Sequence, residues 1–393
     1  MPTSEDLPTL TTEAQPVLCP SRLESLRTNA PVCRVRTPAG DEAWLVTRHA
    51  EVKQLLHDQR LGRSHPNPPA APKYINNSMV DMLISADAEA AREMHAKSRS
   101  VLTPQFSARR INALRPRIEA LTTAMVEDFA TRERPADLHA HFSLPYALRI
   151  LYELIGVPEA DQGRCAALLA SMGQVGSGAD PSSGPAALFG LLTEIAAGKR
   201  AEPDDDVISR LCETGVPDVE VGALAAALMF AGLEAVATHI DLGVVLLSVH
   251  PEQRDRVLRD PAQLAGMVEE VLRSAKRAGA TLPRYASEDI EIGGVTIRAG
   301  ELVLLDFALA NFDDRAFATP EEFDVTRSPN QHLTFGHGIW HCIGAPLARL
   351  ELSTAFTTLF TRLPGLRPAV PSDELVTRAG KLVGGLDELP VTW

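Results

Sequence analysis

One long apolar segment limits the folds open to this chain more than any other feature of its sequence. The segment runs from Val219 to Val249, and Pro251 ends any helix that passes through it. We predict one helix from Asp218, acting as its N-terminal cap, to His250, and at 1.5 Å per residue it spans roughly 50 Å. Polar side chains interrupt the segment, which favours a helix buried in a protein core over one that spans a membrane. They are Glu220, Glu234, His239 and Asp241.

The rest of the chain alternates helical periodicity with a few short strand patterns. The predicted helices are Ala50–His57, Ile111–Thr131, Leu144–Ile155, Ala262–Arg277 and Pro346–Leu363. The predicted strands are Val32–Arg36, Ala43–Thr47, the hairpin of Ile290–Ile292 with Val295–Ile297, and a further hairpin over Leu382–Val391. Residues 63–86 and 173–185 are predicted loops, the second resembling a lid. We therefore expect a mainly α fold with small β-sheets, in a single domain over 1–393 with a partly ordered lead-in over 1–30.

The charge and the cysteines of the chain narrow its functional class. Its net charge is −13, which argues against nucleic-acid binding because that function needs a basic surface. Its five cysteines are scattered without a Cys-x-x-Cys pair, so neither a disulfide framework nor a multi-cysteine zinc site is indicated. The polar, acidic N-terminus lacks a signal-peptide pattern. We expect a soluble, cytoplasmic protein that does not bind a membrane.

The most informative segment of the sequence surrounds Cys342. Two glycines before it allow a tight turn, and Pro346 places the cysteine just before the N-terminus of a helix. The helix dipole favours a thiolate at that position. The N–H groups of Ile343 and Gly344 can turn toward the sulfur, and Phe335 can shield it from water. Such a thiolate can serve as a nucleophile or as a metal ligand.

The spacing around this cysteine resembles a known family signature. Phe335, Gly338, Cys342 and Gly344 follow the pattern Phe-x-x-Gly-x-x-x-Cys-x-Gly. This pattern is similar to the haem-binding signature of the cytochrome P450 superfamily. The resemblance covers nearly the whole chain and implies that family's fold, a helix-rich triangular prism. It implies haem b (iron protoporphyrin IX) between the long central helix and the cysteine loop, with Cys342 as the ligand of the iron.

A second motif resembles the Glu-x-x-Arg pair of the same family. Glu270 and Arg273 have its spacing, and Arg327 is the candidate for the downstream arginine that joins the pair in the family. The resemblance implies a buried, structural role for these three residues. From spacing alone, the first two could equally form an exposed i, i+3 pair worth a few tenths of a kcal/mol.

Two further segments resemble those that bind the haem propionates. His95-x-x-x-Arg99 is similar to the helix pair that holds one propionate, and Arg284 lies where the family places an arginine for the other. Arginine suits carboxylates because its planar guanidinium binds them through two parallel hydrogen bonds. Trp340 stands two residues before Cys342, where a His or Arg that contacts a propionate is common. Either one propionate contact is lost there, or the indole N–H supplies it.

The long helix departs from the family at the position that handles oxygen. Its segment Ala231–Val236 resembles the family's Ala-Gly-x-Glu/Asp-Thr-Thr, but Ala235 and Val236 replace the threonines, while the acid remains as Glu234. In the family this alcohol helps to deliver protons during oxygen activation, so Glu234 and Ala235 are the predicted catalytic positions. Water, Glu234 or a polar group of the substrate could replace the missing hydroxyl.

The resemblance implies an oxidoreductase that acts as a monomer on a small-molecule natural product, as actinomycete tailoring enzymes do. Its electrons would come from a ferredoxin and an NAD(P)H-dependent ferredoxin reductase. Two reactions compete: hydroxylation or epoxidation, for example of a macrolide-like compound, and oxidative radical coupling, for example of aromatic or tryptophan-containing cyclic peptides. The missing alcohol weakens the case for hydroxylation or epoxidation and leaves radical coupling possible. From another class, the chain could be a haem-binding sensor without catalysis.

The substrate pocket is expected between five segments of the chain. They are residues 74–86, the lid near 171–180, the central helix at Phe230–Val236, the strand near Ala278–Leu282 and the turn at Val383–Gly385. Apolar side chains on these segments are the candidate substrate contacts, although core packing explains any one of them at least as well. The candidates are Met79, Leu83, Val175, Ala231, Val236 and Leu282.

Overall fold

Helices make up most of the structure, a computed structural model that describes residues 7–11, 13, 17, 30–172, 183–275, 282–378 and 385–393. The side chains of residues 78, 79, 171, 172 and 183 fall outside this description. In chain order the helices are α1 (His49–His57), α2 (Ser78–Asp81), α3 (Ala88–Leu102), α4 (Ala108–Ala130), α5 (Leu144–Ile155), α6 (Glu159–Met172), α7 (Ser183–Ala201), α8 (Val207–Glu213), α9 (Asp218–Val249), α10 (Pro251–Arg259), α11 (Leu264–Ser274), α12 (Phe307–Ala310) and α13 (Ala345–Arg362).

The long central helix α9 ends one residue before the predicted position. Pro217 precedes it in an extended conformation, and Asp218 lies in its first turn, where the carboxylate accepts a hydrogen bond from Arg200 Nε at 2.7 Å. The prediction that Asp218 caps the helix is wrong, because Pro217 occupies the capping position and α7 engages the aspartate. α9 is long and apolar enough to cross a membrane, but 56% of its most apolar window is buried inside the protein. The core helix of a soluble protein has the same character.

Ten short strands form three small sheets in the described part of the chain. They are β1 (Val32–Arg36), β2 (Glu42–Val46), β3 (Leu61–Gly62), β4 (Ala136–Asp137), β5 (Arg284–Ala286), β6 (Ile290–Ile292), β7 (Val295–Ile297), β8 (Leu302–Leu305), β9 (Arg367–Pro368) and β10 (Pro390–Thr392). The largest sheet has the order β1-β2-β8-β5-β3, the second β4-β10-β9, and β6 pairs with β7 alone. In the large sheet β2 and β8 are parallel, with Trp44 opposite Val303, and the other neighbours are antiparallel.

The predicted loop over 63–86 is wrong at Ser78–Asp81, which form α2, where Asn77 Oδ1 accepts from the Val80 N–H at 3.2 Å. The predicted helices and strands agree with the structure to within three residues at each described end, except at the C-terminus. There, Thr377 pairs with Leu386, whereas β10 pairs with β4 and β9. The predicted hairpin over Leu382–Val391 is therefore wrong, since its second half joins distant strands instead of folding back on its own turn. Of the predicted lid, 173–182 lies outside the described residues, and 183–185 form the first turn of α7.

Two hydrophobic cores meet at the cysteine loop. The larger core is built around α9 and includes buried residues of α4, α5, α7, α11 and α13. A second core lies between the five-stranded sheet and α1. Phe335 and Ile343 pack against the first core and Trp340 against the second. The loop that carries Cys342 is thus fixed from both sides by apolar packing.

Candidate active site

A tight loop between Phe335 and Cys342 presents the cysteine at the start of α13. The Cys342 N–H donates to the Phe335 carbonyl oxygen at 2.7 Å and closes the loop. Gly336 and Gly338 have positive φ angles of 69° and 59°, and a Cβ on Gly336 would lie 2.8 Å from the Trp340 carbonyl oxygen. Glycine is the residue that accepts this conformation at no steric cost. The turn that positions the thiol therefore depends on these two glycines.

Two backbone N–H groups, those of Gly344 and Ala345, act on the pKa of the Cys342 thiol. Burial raises the pKa of this thiol, while the N–H groups of Gly344 and Ala345 and nearby arginines lower it. The thiol keeps an exposed face. The sequence predicts Ile343 and Gly344 as the N–H donors near the sulfur. In the structure Ala345 takes the role predicted for Ile343, because α13 begins at Ala345 and the first N–H groups of a helix lack a partner within it. The arrangement stabilises a thiolate that is open on one side.

The ring of Phe335 is held beside the loop by a chain of ionic contacts. The Arg349 guanidinium carbon lies 4.7 Å from the ring centroid. Arg349 Nε donates to Glu269 Oε1 at 2.6 Å, and the other carboxylate oxygen lies 3.1 Å from His332 Nε2. Burial raises the pKa of Glu269, but Arg349 and His332 outweigh it and lower that pKa to about 2. Phe335 is therefore fixed next to the cysteine, as its predicted shielding role requires.

Three basic side chains gather around the ring of Trp340, and Arg99 lies near one of them, His95. The His95 ring centroid lies 4.4 Å from it, the Arg284 guanidinium carbon 4.4 Å and the Arg63 guanidinium carbon 5.2 Å. Arg99 Nη1 donates to a backbone carbonyl of the cysteine loop at 2.7 Å. In the part of the chain that the structure describes, no carboxylate pairs with any of these arginines. We call His95, Arg99, Arg284 and Arg63 the cation cluster.

The cation cluster is electrostatically unfavourable on its own. Burial, and then repulsion by Arg63, lower the pKa of Arg284 to about 9, and burial also lowers that of Arg63. Burial and the three arginines lower the pKa of His95 to about 4, so it is neutral at physiological pH. Arg284 Nη1 and Arg63 Nε are buried without a hydrogen-bond partner among the described residues. Unpartnered buried donors are costly, so this cluster fits an anionic ligand.

The Glu-x-x-Arg motif forms a buried ionic network. Glu270 and Arg273 are both fully buried, with their charged atoms 2.8 Å apart, and Arg327 Nε lies 3.2 Å from the same carboxylate. Asn330 Nδ2 donates to it at 3.0 Å. Arg273 also donates to the backbone carbonyls of residues 311, 320 and 322, at 2.8–3.1 Å. The structure thus excludes the exposed i, i+3 pair and ties α11 to the segment that leads into the cysteine loop.

The middle of α9 exposes a row of small side chains. Ala223, Ala227 and Ala231 are exposed and Ala235 is half-buried, at four-residue intervals on a helix that is otherwise mostly buried. Glu234 is also half-buried, and its carboxylate pairs with Arg378. This face of α9 therefore borders an open space with methyl groups and one carboxylate.

The structure places the predicted substrate contacts in different surroundings. Leu83 and Leu282 line one small cavity together with Arg63, which places them beside the cation cluster. Val236 is 8% exposed and packs in the larger core, so core packing accounts for it. The remaining candidates are Ala231, on the exposed face of α9, and Met79 and Val175, which lie outside the described side chains.

Sequence reasoning missed two residues that the structure places at the site, Arg63 and Arg378. Arg63 follows the two-residue strand β3 inside a segment predicted to be a loop, and Arg378 lies near the C-terminus, 144 residues from its partner Glu234. Neither belongs to a motif with a fixed spacing. The sequence neighbours of the two arginines give no signal either, since Arg63 stands between Gly62 and Ser64 and Arg378 between Thr377 and Ala379.

Comparison with known proteins identifies the family. A family model described as Cytochrome P450 matches residues 200–364. Pentalenolactone synthase of Streptomyces exfoliatus is 37% identical over 387 residues, and Mycinamicin IV hydroxylase/epoxidase of Micromonospora griseorubida is 37% identical over 385, each alignment covering 95% of both chains. The structure of substrate-free cytochrome P450 PimD, a polyene macrolide antibiotic pimaricin epoxidase, has 51% identity and a TM-score of 0.92, with 99% of this chain and 100% of that chain covered. The chain belongs to the cytochrome P450 family.

The residues of this chain fit the family's cofactor, haem. Its two propionates are carboxylates, and the cation cluster offers two arginines with buried donors that lack a partner in the described part of the chain. The Cys342 thiol, with two N–H groups that act on its pKa, is the donor expected of a thiolate ligand to iron. The predicted fold class, haem cofactor and assignment as an enzyme are confirmed by these comparisons. The roles of individual residues remain predictions.

Proposed function

We propose that this enzyme inserts one oxygen atom of dioxygen into a macrolide-type natural product, by hydroxylation or epoxidation. The observation that carries the proposal is the 51% identity, over 99% of the chain, with a cytochrome P450 that is a polyene macrolide epoxidase. A second relative is a mycinamicin hydroxylase/epoxidase. The small side chains on the open face of α9 support the proposal, because methyl groups leave room for a bulky substrate.

The residues of this chain divide the work of holding the cofactor and the substrate. Cys342 would bind the iron, with Gly344 and Ala345 stabilising its thiolate. The propionates would be held by the cation cluster, which includes Arg63 besides the three predicted residues. Trp340 would fix the three side chains that stack on its ring. Haem with a thiolate ligand supplies the cleavage of the O–O bond. The remaining task of the protein is to orient the substrate and exclude water.

The partners and the location follow from the family. A bacterial cytochrome P450 needs an electron donor, and we propose a ferredoxin with an NAD(P)H-dependent reductase. We also propose that the enzyme works as a cytoplasmic monomer and a single domain, with a small-molecule natural product as its substrate and without nucleic acid or membrane as a partner. The net charge of −13 supports the absence of nucleic acid.

Oxidative radical coupling is the second candidate reaction. One observation favours it: Ala235 and Val236 leave α9 without a hydroxyl at the position where the family has threonine. Coupling of two radical sites needs no oxygen atom in the product, so it depends less on that hydroxyl. The names of two relatives, a hydroxylase/epoxidase and an epoxidase, favour oxygen insertion instead.

Labelled dioxygen distinguishes these reactions. The purified enzyme, a ferredoxin and its reductase are supplied with NADPH, ¹⁸O₂ and a panel of macrolides and aromatic cyclic peptides, and products are analysed by mass spectrometry. One ¹⁸O atom per product molecule is the expected result. A product without label would overturn oxygen insertion in favour of coupling. Haem binding without turnover of any substrate would favour the alternative that the protein is a haem-binding sensor without catalysis.

A further inference from the structure

The ion pair between Glu234 and Arg378 joins the central helix to the C-terminal turn. Glu234 lies in the middle of α9 with 26% of its side chain exposed, whereas 7% of the Arg378 side chain is exposed. Arg378 Nη2 donates to Glu234 Oε2. The neighbouring position on the helix is Ala235, which provides no polar group. The pair therefore supplies polar atoms to a face of α9 that is otherwise lined by alanine.

The C-terminal turn holds Arg378 in a fixed place. Its backbone N–H donates to the Gly385 carbonyl oxygen at 2.8 Å, and Thr377 pairs with Leu386. Gly385 has a φ of 135°, and a Cβ there would lie 2.6 Å from Thr238 Oγ1 and 3.2 Å from Arg378 Nη2. The turn thus packs directly on α9, one helical turn beyond Glu234, and leaves little freedom to the guanidinium.

A second acid, this one fully buried, lies on the same side of α9 and has partners of its own. Asp241, seven residues after Glu234, is fully buried, with His139 Nδ1 at 2.6 Å and Ser143 Oγ at 2.5 Å. Burial raises the pKa of Asp241, while His139, Ser143 and the charge of Arg378 lower it. Asp241 already accepts two hydrogen bonds from other residues. The donors of Arg378 therefore remain available to Glu234 and to another acceptor.

One donor of Arg378 has no partner among the residues that the structure describes. Its Nε is buried and makes no hydrogen bond to any residue that the structure describes. A buried N–H without an acceptor is costly, so an oxygen atom is expected to accept from it. The α9 side chains at positions 235 and 236 are apolar and cannot provide that oxygen.

We propose that Arg378 is a positioning residue for the oxidation reaction. It fixes the direction of the Glu234 carboxylate, and its Nε–H binds an acceptor oxygen beside Glu234, in place of the hydroxyl that this helix lacks. The acceptor is a water molecule in the substrate-free enzyme or an oxygen atom of the bound substrate. This inference rests on the proposed oxygen-insertion function and assigns that function a residue from the C-terminal turn.

A crystal structure of the haem-loaded enzyme tests the acceptor directly. We expect an oxygen atom within about 3.2 Å of Arg378 Nε. The crystal is then soaked with the substrate found by the labelling assay. If a water molecule occupies this position before and after soaking, the acceptor is water. If an oxygen atom of the substrate replaces the water, the acceptor is the substrate. Density that shows Nε bonded to a protein group, or bonded to no oxygen in either crystal, would overturn the proposal.

The C–O stretching frequency of the reduced, carbon monoxide-bound enzyme tests the positioning role without turnover. Arg378→Lys keeps the charge but lacks Nε, and Arg378→Met lacks both. We expect the stretch to shift in Arg378→Met and to shift less in Arg378→Lys, with Arg367→Met, at an exposed C-terminal arginine, unchanged. Hydrogen peroxide released per product should rise at least twofold in Arg378→Met.

An identical C–O stretch in the wild type and in a folded, haem-loaded Arg378→Met or Arg378→Lys would refute the positioning role. The Soret band of the same samples reports thiolate ligation separately. A normal band with an unchanged stretch therefore defeats this inference alone, whereas an abnormal band in the wild type defeats the proposed function. If Arg378→Met does not fold, the lysine variant and the wild-type crystal still decide the matter.

Discussion

The guanidinium carbon of Arg284 lies 4.4 Å from the centroid of the Trp340 ring. Trp340 occupies a position where the family often has a basic residue. A basic residue there would repel the Arg284 guanidinium, whereas the π face of the tryptophan attracts it. Arg63 stacks near the same ring at 5.2 Å. The tryptophan thus makes it possible to keep two buried arginines close together before any carboxylate binds.

Removing Arg63 should weaken haem retention. Arg63→Met deletes a hydrogen bond between charged groups, worth about 1.5–3 kcal/mol, so haem loss should be about tenfold to a hundredfold faster. The rate of haem transfer to an excess of apomyoglobin measures this. Arg117→Met is the control, because Arg117 is mostly exposed and pairs only with Glu153 in the described structure. Equal rates of haem loss in Arg63→Met and the wild type would show that Arg63 does not bind a propionate.

Replacing Glu270 by alanine should destabilise the protein strongly. Glu270→Ala leaves the fully buried Arg273 and the largely buried Arg327 without their carboxylate, and breaking such a pair costs about 3–5 kcal/mol. Chemical denaturation of variant and wild type gives the change. Arg115→Ala removes an exposed pair with Glu119 at 3.7 Å and should cost less than about 1 kcal/mol. Similar stabilities for the two variants would contradict the structural role of Glu270.

The stability of the protein should fall as pH rises toward 8 because of Glu351. Burial raises the pKa of this carboxyl from 4.5 to about 8, so the folded state holds a proton that the unfolded state releases between those pH values. The contribution of Glu351 to stability is therefore full below pH 4.5 and is lost as pH rises through 8. Glu351→Gln should remove this dependence.

Urea denaturation at several pH values between 5 and about 8.5 measures the effect of Glu351. The stability of Glu351→Gln relative to the wild type should increase with pH across this range. Glu127→Gln is the control, since Glu127 is exposed and forms only a loose pair with Arg362 at 3.4 Å among the described contacts. A constant difference between Glu351→Gln and the wild type would show that the carboxyl is ionised throughout.

Restoring the alcohol at Ala235 should leave the product unchanged. If oxygen insertion is the native reaction, Ala235→Thr adds a proton-relaying hydroxyl beside Glu234, and product formed per NAD(P)H should stay equal or increase. Ala231→Thr adds the same bulk one helical turn earlier and separates crowding from the hydroxyl effect. Product analysis by mass spectrometry provides the measurement. Appearance of a new hydroxylated product only in Ala235→Thr would favour oxidative coupling as the native reaction.

The parts of this protein that could be predicted from sequence are those set by local spacing. The limits of α9 follow from an apolar run and a proline, and the cysteine loop follows from glycines whose turn has positive φ angles. Glu270 and Arg273 are adjacent on one helix face, so their spacing already places them together. Their burial was supplied by the family resemblance and not by the pattern.

The parts that could not be predicted depend on contacts between distant segments. Arg63 reaches Trp340 across 277 positions of the chain only because β3 joins the edge of the large sheet through β5. Arg378 reaches Glu234 through the C-terminal turn, whose strand pairing the local pattern assigned wrongly. No short-range periodicity carries such information.

The absorption spectrum of the reduced enzyme with carbon monoxide tests most directly whether Cys342 ligates haem as a thiolate. The account predicts a Soret band at the strongly red-shifted position that thiolate ligation produces, and its loss in Cys342→Ala. Cys212→Ala, at another cysteine that is buried and free, should keep the red-shifted band. A wild-type band at the position given by histidine-ligated haem, or a red-shifted band that persists in Cys342→Ala, would contradict the account.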